Sequence, residues 1–211
     1  FAVSYDGHIV TNNHVIDGCE NVRVHSEGSM VNAVVVSRDS LNDLAVIKAD
    51  FNPAAIFAID NSNPQLMQEI YVAGYPFGQN ISSSLKITRG IVSSLTGIGN
   101  NFSNMQIDAA IQPGNSGGPI FNQDGNVIGV AVATLNAAIA LEAFGAIPQN
   151  TNFGIKANVV SSFLASNSIE PVSPANPGFF GNTTEMSTAE LGQLATDATY
   201  YLSCWMTTAQ I

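Results

Sequence analysis

The apolar residues of this 211-residue chain come in runs of four to eight, and nearly every run is stopped by Gly, Pro or Asn. Runs of that length suit strands, because a helix needs a longer stretch of 3.6-residue periodicity. Turn residues at close spacing between such runs predict an all-β architecture of sheets or barrels. Asp6-Gly7 separates Phe1–Ser4 from His8–Thr11, and Asp124-Gly125 separates Pro119–Phe121 from Val127–Val132. Asp-Gly between apolar runs is a strong hairpin signal. Val22–Val24, Val31–Val36 and Leu44–Ile47 read as further strands, the last two joined by residues 37–43. Val15 to Gly18 reads as one helical turn, which sets His14 at a strand end where a side chain can face a cleft. With 45% hydrophobic and 10% charged residues, the chain can bury a substantial core.

One stretch does not look purely structural. In Gln112-Pro113-Gly114-Asn115-Ser116-Gly117-Gly118-Pro119 the serine stands between glycines, so its hydroxyl is uncrowded and the backbone can turn sharply. Serine is a weak nucleophile alone and needs a base and donors for a developing oxyanion. The amides of Gly114, Asn115 and Ser116 are the local candidates, Gly114 and Ser116 foremost. The pattern also fits the Gly-x-Ser-x-Gly elbow of α/β-hydrolases, but there the histidine follows the serine. Here His8, His14 and His25 all precede Ser116, and the segment after it reads as a strand hairpin rather than a helix. The order His-Asp-Ser remains, with Asp-His-Ser the other option. Asp39 and Asp43 are the candidate carboxylates. Asp43 leads directly into the apolar Leu44–Ile47, whereas Asp39 sits in the polar connection and reads as a turn former.

The net charge of −10 argues against nucleic acids and anionic membranes as partners. No apolar run approaches the roughly 20 residues that span a bilayer. No signal segment is visible, and Phe1–Ser4 already reads as the inside of a strand, so targeting information is expected to have belonged to a longer precursor. Cys19 and Cys204 have the parity of one disulfide and equally of two separate buried thiols, with free thiols slightly favoured and both left open. No Cys or His cluster has metal-ligand spacing, so no metal is expected.

Three blocks together carry a resemblance: Thr11-Asn12-Asn13-His14-Val15, Asn42-Asp43-Leu44-Ala45-Val46-Ile47-Lys48 and Gly114-Asn115-Ser116-Gly117-Gly118-Pro119. In order and in spacing, about thirty and about seventy residues, they resemble the active-site blocks of the HtrA (Deg) family of trypsin-like serine endopeptidases. Gly74-Tyr75-Pro76-Phe77-Gly78, Thr88–Ser93 and Gln106–Ala110 support it, over about Phe1 to Ala165. The resemblance implies a trypsin-like double β-barrel with the site in the cleft between barrels. His14 and Asp43 would come from barrel one, about 1–60, and Ser116 from barrel two, about 69–156. A closing helix over about 157–165 completes a domain of residues 1–168. It also implies catalysis without a cofactor, polypeptide substrates, a role in protein quality control and an exported location, periplasmic or extracellular. By the same resemblance Ala110 would lie at the base of the specificity pocket, with Ala131 and Ala133 on its wall. That lining favours cleavage after small or medium aliphatic residues and disfavours a glutamate-specific relative.

The chain departs from the family after residue 168. The 43 residues from Ile169 to Ile211 are too few for the PDZ domain that usually follows, which leaves open the family's usual oligomer. They read as a Pro-rich linker, then a short helix opened by the capping box Ser187-Thr188-Ala189-Glu190, then the β-prone run Thr199–Met206. A run so apolar is expected to pack on the barrel or on a partner chain. Residues 134–152 are expected to form a surface loop, with a mobile rim over the cleft as the functional alternative. A catalytically silent protease-like fold that binds peptides or a partner protein is the alternative to an enzyme, although all three triad residue types are present.

Overall fold

A computed structural model describes residues 1–26, 28–76, 84–132, 151–174 and 185–206. The runs read as strands do form strands, arranged in two halves. The first half is a five-stranded antiparallel sheet. It contains β1 (His8–Thr11), β2 (Asn21–Ser26), β3 (Ser29–Asp39) and β4 (Leu44–Ala49), in the order β1-β4-β3-β2. Its fifth member, beside β2, comes from the far end of the chain: β11 (Tyr201–Trp205). The second half is a closed six-stranded barrel of β5 (Glu69–Gly74), β6 (Lys86–Ser94), β7 (Asn104–Ile107), β8 (Pro119–Phe121), β9 (Val127–Val132) and β10 (Asn152–Lys156). The first half is thus a five-stranded sheet whose β2 edge is covered by the tail strand.

Local chemistry accounts for the differences in detail. The Phe1–Thr11 hairpin forms, but its first arm touches the sheet through a single bridge, Ala2 to Ile9. Strand β3 continues past a bulge between Val35 and Ser37 and runs on to Asp39, so the connection to β4 is shorter than the sequence suggests. Asp39 is the turn former there: its carboxylate accepts from the amides of Leu41 and Asn42 and from Asn42 Nδ2. His14 lies inside a one-turn helix, α1 (Asn13–Ile16), rather than at the strand end itself.

Three apolar clusters make up the core. One lies against the first sheet (Ile9, Ile16, Val24, Ile47), and one fills the barrel (Ile70, Val72, Ile107, Ile120, Ile128). The third joins them, with Val10, Leu44 and Phe57 from the first half and Phe121, Val130 and Ile155 from the second. Two helices complete it: α2 (Ala157–Ser166) through Val160, Phe163 and Leu164, and α3 (Thr188–Ala198) through Leu191, Ala195 and Ala198. The capping box forms as expected, with Ser187 and Glu190 bonding reciprocally, and the helix extends past Leu194 to Ala198. The tail is therefore part of the core, not an appendage.

The two cysteines are paired. Cys19, just after α1, is bonded to Cys204 on β11, with Cα atoms 5.3 Å apart. This corrects the leaning toward free thiols: β11 pairs with β2, so Cys204 comes to lie beside the segment that enters β2. The apolar tail run pairs with β2 of the first sheet, and its Thr199 and Tyr201 also meet Tyr75 on the barrel side. Of the Pro-rich connection, Val172 bonds through its carbonyl to the Ile59 amide, while residues 175–184 lie outside the described residues. The expected surface loop at 134–152 also lies outside them, except for Thr151 and Asn152.

Candidate active site

Asp43 ends the β3–β4 turn in the left-handed region, at φ 54°, a conformation that Asp tolerates better than most residues. Its carbonyl accepts from Asn12 Nδ2 at 2.9 Å and from the Asn13 amide at 3.2 Å. Its carboxylate faces His14: Oδ1 accepts from the His14 amide at 2.9 Å, and Oδ2 lies 2.7 Å from Nδ1. An ionised carboxylate only accepts, so Nδ1 carries the proton and Nε2 presents its lone pair. Asn12, completely buried, thus positions the aspartate while the aspartate positions the histidine.

On the other side, the serine loop is shaped by two glycines. The Asn115 amide donates to the Gln112 carbonyl at 2.9 Å across Pro113 and Gly114. Proline second and glycine third, with Gly114 at φ 102°, make this a type II turn. Gly117, at φ 78°, brings the two halves into contact: a Cβ there would run into Thr11 Oγ1 and lie 2.8 Å from the Asn12 nitrogen. The Gly117 amide donates to Ala131, and the Ala131 amide returns a bond to Gly118, both at 2.9 Å, so the loop is anchored on β9.

Ser116 and His14 line one cleft of about 350 Å3 between the halves. Thr11, Gly114, Gly117 and Gly118 border it, as do Tyr75 and the tail residues Thr199, Tyr200, Tyr201 and Leu202. Among the described residues lining it there is no Asp, Glu, Lys or Arg. The other histidines do not compete for the role of base. Ser4 and Asp6 form a second Ser-Asp-His group with His8, but both meet the same ring nitrogen, Nδ1, so no proton can pass from one through the ring to the other. His25 pairs with Ser203 on the tail, away from Ser116.

Other expected site residues are not so placed. Asn115 uses its amide in the type II turn, which leaves Gly114 and Ser116 as the oxyanion donors to consider. Ala131 does not form an open pocket wall, because its side chain is fully buried in the barrel interior. Ala110 is exposed, with its carbonyl bonded to Thr88 Oγ1, and does not border the cleft. Ala133, like Phe77 and Gly78, lies outside the described residues. The contributions of Tyr75 and of residues 199–202 were not legible in sequence. The apolar tail run was the available signal, but nothing in it says where it docks. Among the described residues no three His, Cys, Asp or Glu side chains gather as metal ligands would, and no helix is long and apolar enough to cross a membrane.

Comparison with known proteins places these observations. The family model of the trypsin-like peptidase domain matches residues 1–130. The uncharacterized protein y4bJ of Sinorhizobium fredii is 37% identical over 205 residues, covering 97% of this chain and 31% of its own. A probable periplasmic serine endoprotease, DegP-like, of Pseudomonas savastanoi pv. phaseolicola is 41% identical over 138 residues, 62% of this chain and 27% of its own. Among solved structures, the HtrA-type protease AlgW with a decapeptide superposes with a TM-score of 0.64 at 29% identity, over 79% of this chain and 50% of that one. The matched part of the chain thus spans less than a third of the length of these two curated relatives. The match to y4bJ takes in nearly the whole chain, whereas the DegP-like match covers less than two thirds of it.

Proposed function

This chain belongs to the trypsin-like peptidase domain family, and on that footing we propose that it is a serine endopeptidase acting through Ser116, His14 and Asp43. The observation that carries the proposal is the 2.7 Å contact of His14 Nδ1 with Asp43 in the cleft that Ser116 also lines. In the proposed cycle Ser116 Oγ attacks the scissile carbonyl and His14 Nε2 takes its proton. Asp43 stabilises the imidazolium, and the amides of Gly114 and Ser116 receive the oxyanion. His14 then protonates the leaving amine, and water hydrolyses the acyl-enzyme by the same steps in reverse order of partners.

Substrates are polypeptides cleaved after small or medium aliphatic residues. Among the described residues, the cleft lining has no Asp, Glu, Lys or Arg side chain, which supports this, because a charged substrate group there would lose its hydration without gaining an oppositely charged partner. The decapeptide bound to AlgW supports polypeptide substrates, and the periplasmic DegP-like relative supports an exported protease, for which the role we propose is protein quality control. So does the Cys19–Cys204 disulfide, since such bonds persist in oxidising compartments. A cleavage-site profile of the wild type beside Ser116→Ala tests activity and specificity together. Cleavage after Val, Ala or Leu that disappears in Ser116→Ala is expected. Dominant cleavage after Arg, Lys or Glu overturns the specificity, and a folded wild type that cleaves nothing favours a peptide-binding module.

A further inference from the structure

We propose that the tail strand β11 supplies a substrate subsite, in which Tyr201 and Tyr75 form an aromatic shelf for an apolar side chain next to the scissile bond. The proposal rests on the reading of Ser116 and His14 as nucleophile and base, and assigns the tail a part in substrate recognition. Thr199 to Leu202 wall the same cleft as those two residues, although they lie far beyond the serine in sequence.

The tail is held in place at several independent points. Strand β11 pairs with β2 from Tyr201 opposite His25 to Trp205 opposite Asn21. Cys204 is bonded to Cys19, and the Ala198 carbonyl accepts from the Ala2 amide at 2.8 Å. The Tyr75 hydroxyl donates to the Thr199 carbonyl at 3.0 Å, which ties the barrel side of the cleft to the tail side. A surface fixed this way costs little ordering when a ligand binds, unlike a loose flap.

The shelf itself is set from both sides. The Tyr201 ring meets the Tyr75 ring edge-on, with centroids 5.9 Å apart, and meets the His25 ring at 4.8 Å. Phe1, Val15 and Leu202 add apolar surface around it. Transfer of an apolar side chain from water to such a surface is favourable, by roughly 25 cal/mol per Å2 buried. Tyr201 also borders a second cavity of about 410 Å3, lined by His25, Gly28, Met30, Ser203 and Trp205. Tyr201 is thus common to the lining of both cavities, one of which also holds Ser116. The occupant is therefore the substrate chain itself: a separate protein seated on the shelf would obstruct the nucleophile.

Peptide-library cleavage profiles of the wild type, Tyr201→Ala, Tyr201→Phe and Tyr75→Leu test this, each protein first labelled with a fluorophosphonate to show that its site is assembled. Tyr201→Ala is expected to label at Ser116 but to lose the apolar preference at one position flanking the scissile bond. For peptides with an apolar residue there, kcat/KM should fall about tenfold, mainly through KM. Tyr201→Phe keeps the ring and should restore both. Tyr75→Leu keeps every residue of β11 but removes the bond to Thr199 and the ring contact with Tyr201, and should weaken the preference at that same position. An unchanged profile in labelled Tyr201→Ala overturns the subsite, as does loss of labelling in Tyr201→Ala alone, which would make Tyr201 a structural strut. Failure of the folded wild type to label overturns the protease reading instead.

Discussion

Asp43 holds His14 twice, by the backbone amide at 2.9 Å and by ring Nδ1 at 2.7 Å. One carboxylate therefore fixes both the turn that carries the histidine and the rotation and tautomer of its ring. The aspartate is held in its turn, since Asn12 and Asn13 both donate to its carbonyl.

Replacing that acceptor should uncouple stability from activity. Asp43→Asn keeps the size of the side chain but can hand Nδ1 a donor, which favours the wrong tautomer. Turnover at neutral pH is expected to fall by about ten-thousand-fold. The melting temperature should change little, because both side chains are partly exposed, at 48% and 29%. Steady-state kinetics and calorimetry on the same preparation check this.

Gly117 is the point of contact between the serine loop and the Thr11–Asn12 segment that leads to His14. Gly117→Ala must accommodate a Cβ against Thr11 Oγ1 and the Asn12 nitrogen at a positive φ. The strained conformation alone costs about 1–3 kcal/mol. We expect a lower denaturation midpoint together with slower fluorophosphonate labelling, because relief of the clash separates Ser116 from His14. Gly28→Ala is the control: it also has a positive φ, but beyond its chain neighbours no atom of the described residues lies within 4 Å of its added Cβ, so it should lose stability without slowing labelling.

The Cys19–Cys204 bond closes a loop of nearly the whole chain, with a sequence separation of 185. Reduction, or the double change Cys19→Ser with Cys204→Ser, is expected to cost about 2–5 kcal/mol of stability. Denaturation with and without reductant measures it, and the double variant should show no response to reductant.

The tail contact should also weaken in acid. His25 Nε2 lies 2.9 Å from Ser203 Oγ and its ring packs on Tyr201, while burial, followed by the Arg23 charge, holds its pKa below the ordinary 6.5. The folded protein thus binds this proton less readily than the unfolded chain. The stability that neutral His25 contributes is complete above about pH 6.5 and declines as the pH falls toward the lowered value. Denaturation midpoints from pH 7 to pH 5 should fall more steeply for the wild type than for His25→Asn. Parallel slopes would contradict the assignment.

Much of this molecule can be read from local sequence, and the unread part has a common cause. Strands such as β4 and β9 follow from short apolar runs, and the Ser187–Glu190 cap follows from a four-residue pattern. His14, Asp43 and Ser116 stood out because a nucleophile, a base and an orienting carboxylate need those residue types, and the chain order of the histidines removed the main alternative. The Cys19–Cys204 pairing and the placement of Tyr201 in the cleft were not legible, since both depend on β11 docking against β2. That docking is a long-range choice of sheet edge, and a strand's own residues do not encode which edge it takes. The place of Ala131 was hidden for another reason: whether it faces a pocket or the barrel interior turns on strand register, and here its side chain is buried in the barrel cluster.

The most direct test of the account is site-resolved labelling of the folded protein by a fluorophosphonate, read by mass spectrometry beside Ser116→Ala and His14→Ala. One modified residue, Ser116, is expected, with no labelling in Ser116→Ala and labelling about a hundredfold slower or more in His14→Ala. Labelling of Ser116 that is indifferent to the loss of His14 would contradict it.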